Sequence, residues 1–104
     1  MDIDNKEMKA IFIVYNQAYN MEIADALSEI GQKGFTMWQD IEGCGSRGGE
    51  PHLGNHAWPT MNNAMLTMVD DDKVDVIMDI VKKKDKETPA LGLRAYVWNI
   101  EKGY

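Results

Sequence analysis

The chain has 104 residues, 44% of them hydrophobic, and its 17 acidic against 11 basic side chains leave a formal net charge of -6. That length and apolar content suffice for one domain with its own core, and the single cysteine, Cys44, excludes an intrachain disulfide, which fits a cytoplasmic setting. The negative charge opposes a sequence-independent grip on nucleic acid. No apolar run approaches the roughly 20 residues of a membrane span, and residues 1–7 read as a flexible polar leader without the apolar stretch of a signal peptide.

Residues 8–15 (MKAIFIVY) are rich in β-branched and aromatic side chains and predict a first strand. Asn20 is placed to cap the next segment, in which Ile23, Leu27 and Ile30 recur at helical spacing and Glu22, Asp25 and Glu29 take the opposite side; Gly31 can end that helix in the left-handed conformation. Residues 35–41 (FTMWQDI) alternate as a second strand. Residues 43–61 change texture, with Gly43, Gly45, Gly48, Gly49, Gly54, Pro51 and Pro59, and form a long loop of the kind that carries function.

Residues 63–69 (NAMLTMV) resume as a strand. Asp70, Asp71 and Asp72 place negative charge at the start of a second amphipathic helix, whose apolar positions are Val74, Ile77, Met78 and Val81 and whose end is the solvated Lys82, Lys83 and Lys84. After Thr88 and Pro89, residues 93–100 (LRAYVWNI) supply the last strand. The order β-α-β-β-α-β predicts an α+β, ferredoxin-like fold: a four-stranded antiparallel sheet with two helices on one face. In the first strand Ile11 and Ile13 oppose Phe12 and Val14, and in the last Ala95 and Val97 oppose Tyr96, Trp98 and Ile100. Two helices cover one face, so the second apolar face requires neighbouring subunits.

Three features carry chemistry. Gly43 to Gly49 contains a G-x-G-x-x-G spacing after a strand, which lets backbone N–H groups approach phosphate, with Arg47 as a charged donor; Glu50 and Pro51 follow instead of a helix, so a dinucleotide fold is excluded. Cys44, His52 and His56, with Glu50 as a fourth donor, suit zinc, copper or nickel, although their spacing matches no standard zinc motif. Trp58, a large apolar ring in a polar loop, is a candidate partner contact, whereas Trp38 and Trp98 belong to core or interface. No nucleophile elbow, H-E-x-x-H or triad-like spacing is present, so the chain reads as a non-enzyme with no catalytic residues.

Residues 26–36 (ALSEIGQKGFT), followed by Gly43-x-Gly45, resemble the A-L-x-E-x-G-x-x-G-[MF]-T and G-x-G-R segments of the P-II family of nitrogen-regulatory signalling proteins. The resemblance implies a homotrimer that binds a small effector, such as ATP, ADP or AMP, in clefts between subunits and acts on a partner protein such as a membrane transporter. It implies ligand contacts at Gly43, Gly45, Ser46, Arg47, Gly48, Gly92 and Arg94. The family's loop arginine position is taken here by Ser46, with Arg47 one place later. Its G-D-G-K turn is replaced by Ala90-Leu91-Gly92-Leu93-Arg94, where Arg94 stands in for the lysine. No tyrosine lies between Tyr19 and Tyr96, which excludes modification at a loop tyrosine. The chain therefore reads as a divergent member with a rewritten effector loop. The alternatives are a metal-binding or metal-tolerance trimer similar in architecture to the CutA proteins, and a structural subunit without a ligand.

Overall fold

The computed structural model describes residues 7–44, 51–54, 61–89 and 92–104. Its elements are β1 (Met8–Asn16), α1 (Asn20–Glu29), β2 (Thr36–Ile41), β3 (Asn62–Asp70), α2 (Val74–Glu87) and β4 (Arg94–Asn99). The strands form one four-stranded sheet in the order β2-β3-β1-β4, each antiparallel to its neighbours. This is the ferredoxin-like α+β arrangement read from the sequence. Of the leader, only Glu7 lies among the described residues, and its carbonyl accepts a hydrogen bond from the Asp71 amide at 3.1 Å.

Register explains which residues are covered. Ile11 pairs with Thr67 and Val97, and Ile13 pairs with Met65 and Ala95. Cross-strand partners share a face, so the odd positions of β1 all point one way. Ile11, Ile13, Tyr15, Met65 and Val69 are buried there against Ile23 and Leu27 of α1, Ile77 and Val81 of α2, and Leu93. Fully burying a side chain of this size contributes about 1.5–3 kcal/mol, so this layer holds the helices to the sheet.

The opposite face carries Ala10, Phe12 and Val14, paired with Met68, Leu66 and Ala64. Tyr96, Trp98, Met68 and Trp38 are 59%, 49%, 48% and 45% exposed, so a broad apolar surface meets solvent in the single chain. Phe12 and Trp38 meet edge to face, their ring centroids 6.2 Å apart.

Several local expectations need correction. Asn20 is the first residue of α1 rather than its cap; the capping side chain is Asn16, which accepts from the Ala18 amide at 3.0 Å and opens the short 3-10 turn Gln17–Tyr19. The reason is that Asn20 Oδ1 is already occupied by the Tyr15 hydroxyl at 2.5 Å and the Asn63 amide at 3.2 Å. Asp71 and Asp72 lie in a second 3-10 turn, Asp71–Lys73, ahead of α2. The lysine run does not end α2, which continues to Glu87, and Lys84 reaches back to Glu22 of α1 at 2.8 Å. Gly31 does close α1 as anticipated: at φ +82° it donates to Ser28 O while the Gln32 amide donates to Leu27 O, the paired bonds of a left-handed helix stop.

Burial pushes the pKa of the Tyr15 hydroxyl above its ordinary 10.0, and a hydrogen bond with the Asn63 side chain offsets part of that rise. The folded chain therefore favours the neutral phenol. This contribution to stability is complete below about pH 10 and is lost as pH rises through the folded-state value. In chemical denaturation, Tyr15→Phe is expected to lose about 1 kcal/mol at neutral pH, with the bond to Asn20, and to show a flatter decline above about pH 10 than the parent chain.

Candidate functional site

The end of β2 sets up the site. Pairing between β2 and β3 runs in register from Thr36 to Trp38 and then shifts before Ile41, and within the shift Asp40 adopts φ 55°. One extra residue in a strand bends and twists it, which re-aims the chain that follows. The Asn63 side chain holds the bend by accepting from the Asp40 amide at 3.2 Å.

Beyond the bend, Gly43 and His52 face each other across the base of the long loop. The Gly43 amide donates to His52 O at 2.7 Å and the His52 amide donates to Gly43 O at 2.6 Å, a single antiparallel bridge that pins the loop's two ends. Glycine is required at this point because a Cβ at position 43 would overlap the Asn62 side-chain amide. Asn62 is 8% exposed at the start of β3 and contacts His52 Nδ1 through its Oδ1 at 2.5 Å.

The His52 ring also bears on the turn before β4. Gly92, at φ +58°, closes that turn by donating to Pro89 O at 3.2 Å, and an added Cβ there would stand 3.2 Å from His52 Cε1. Four segments distant in sequence thus converge at Gly43, His52, Asn62 and Gly92. Asn62 pairs with Asn16 of β1, an even position, so it belongs to the uncovered side of the sheet with Phe12, Val14, Ala64 and Leu66.

Of the residues singled out from the sequence, Gly43, His52 and Gly92 come together. Arg94 turns elsewhere: its guanidinium pairs with Asp85 of α2 at 3.5 Å and donates to Leu93 O at 2.6 Å. Cys44 is exposed with a free thiol. Gly45, Ser46, Arg47, Gly48, His56 and Trp58 lie outside the described residues. Among the described residues, no group of three or more His, Cys, Asp or Glu side chains is placed to hold a metal. Asn62 was missed in the sequence reading; the available signal was a pair of asparagines opening an otherwise apolar strand.

A glycine bridge at a strand end, a left-handed glycine turn before the last strand and a ferredoxin-like sheet between them define a small α+β domain. The sequence model described as nitrogen regulatory protein P-II matches residues 8–103, and the chain belongs to that family. It is a PII-like regulatory protein. Among solved structures it is similar to CPII from Thiomonas intermedia K12 bound to ADP and bicarbonate, with a TM-score of 0.74 and 20% identity over 90% of this chain and 86% of that one. A PII-like signaling protein from Thermus thermophilus gives 0.66 at 23% identity, covering 91% and 88%. Arabidopsis thaliana PII bound to citrate gives 0.65 at 14%, covering 94% and 79%. No curated protein matches the chain in sequence. Among the described residues, no helix is long and apolar enough to cross a membrane.

Proposed function

We propose that the protein is a single-domain, cytoplasmic P-II-like signalling subunit that assembles as a homotrimer and binds an adenine nucleotide in clefts between subunits. Gly43 and the turn at Gly92 form two walls for the phosphates, and Gly45, Ser46, Arg47 and Gly48 continue the first wall. The loop carrying His56 and Trp58 reports occupancy to a partner protein such as a transporter.

One observation carries this reading: the Gly43, His52, Asn62 and Gly92 cluster includes a residue of the uncovered apolar sheet face. A neighbour that covers Phe12, Tyr96 and Trp98 brings its own surface alongside the cluster, so a cleft between subunits forms at the base of the glycine-rich loop. CPII, the structural relative bound to ADP and bicarbonate, supports the choice of ligand.

Light scattering on the eluted peak is expected to give three times the chain mass. Calorimetric titration with ATP, ADP and AMP, each with and without bicarbonate, is expected to give heat for at least one nucleotide. A silent titration for all three removes the nucleotide from the reading, and a monomer removes the cleft.

A further inference from the structure

The geometry points to His52 as a positioning residue that holds the Gly43 strand end and the Gly92 turn in register, so that its bond to Asn62 sets the affinity of the nucleotide-phosphate site. This rests on the proposed function and assigns within it a role that neither glycine performs.

Glycines are permissive backbone, and a phosphate site bordered by two of them needs something rigid to fix their separation. His52 is tied to both. Its backbone is bonded twice to Gly43, and its ring lies against Gly92, where an added Cβ would stand 3.2 Å from Cε1. The ring's orientation is set in turn by Asn62 Oδ1 at 2.5 Å on Nδ1. Asn62 is anchored at the first position of a central strand, and its side chain also fills the place beside Gly43 that a Cβ would need.

The contact therefore runs from the sheet through Asn62 to the imidazole and on to both glycines. An imidazole nitrogen so engaged is committed to the frame. A divalent cation taken at Nδ1 would have to displace Asn62, and the two glycines would lose their common support.

Two substitutions separate the nitrogen from the ring. His52→Phe keeps an aromatic ring beside Gly92 and removes Nδ1, whereas His52→Asn keeps a hydrogen-bonding group near the Nδ1 position and gives up the ring. In calorimetry with ADP, His52→Phe is expected to bind roughly tenfold or more weakly than the parent chain, with His52→Asn recovering most of the loss. Asn62→Ala is expected to match His52→Phe and stands in for it if that variant fails to fold.

In ¹⁵N NMR of the parent chain, the His52 ring resonances are expected to move on ADP addition, and the chain's two histidines keep that spectrum simple. Parent-like affinity in both His52→Phe and Asn62→Ala overturns the inference and leaves the proposed function standing. A parent chain that gives no heat with ATP, ADP or AMP overturns the proposed function and this inference together.

Discussion

Gly43→Ala is expected to destabilise the chain by roughly 1–3 kcal/mol and to open the base of the long loop, as measured by urea denaturation and by loss of amide protection at His52. The added methyl has nowhere to go. On one side stands the Asn62 side chain, whose Cγ would lie 3.3 Å from the new Cβ with its amide nitrogen closer still. Asn62 is 8% exposed and its oxygen is engaged by His52, so it cannot turn aside without giving up that bond. Either the bridge between Gly43 and His52 parts or the imidazole moves, and both outcomes disturb the site proposed for the phosphates. Nucleotide heat should fall in the same variant. A chain that keeps parent stability and parent affinity with alanine at position 43 would show that the loop base is not held by this contact.

Phe12→Glu is expected to have the largest effect on assembly. Phe12 sits at the middle of β1 on the uncovered face, with Leu66 and Tyr96 as its cross-strand partners and the Trp38 ring beside it. In a trimer that buries this face, an unpaired carboxylate at its centre meets a desolvation cost of several kcal/mol for each subunit. Light scattering should then report the single-chain mass while far-UV circular dichroism stays close to the parent, because in the single chain the position borders solvent. Survival of the trimer would place the subunit contact on another surface and would separate the glycine cluster from any cleft.

The elements were legible in the sequence because their patterns have simple periods. The alternation of Ile11, Phe12, Ile13 and Val14 announced a strand with two apolar faces, and the spacing of Ile23 and Leu27, or of Ile77 and Val81, announced the helix sides that are buried. Gly31 was readable for a local reason, since a helix stop of that geometry favours a residue without a side chain.

The misreadings share a different cause. Asn20 looks like a cap from its neighbours in sequence, but Tyr15 and Asn63 claim its side chain from other elements. Lys84 looks like part of a solvated end, yet Glu22 stands within 2.8 Å across the helix layer. His52 drew attention as a metal-ligand type, and its Nδ1 faces Asn62, a residue ten positions away that no spacing rule connects to it. In each case a tertiary neighbour decides what a polar side chain does, and periodicity carries no information about such neighbours.

The bend at Asp40 has a consequence for how copies of this chain can meet. β2 is an outer strand of the sheet, and an outer strand with a straight row of free backbone groups invites another copy to add edge to edge without limit. Here the row is interrupted by a register shift and a left-handed residue, so a straight incoming strand loses pairing after Trp38. Edge-to-edge addition along that margin is disfavoured, which fits the proposed face-to-face assembly, a contact that closes on itself when the copies are related by rotation.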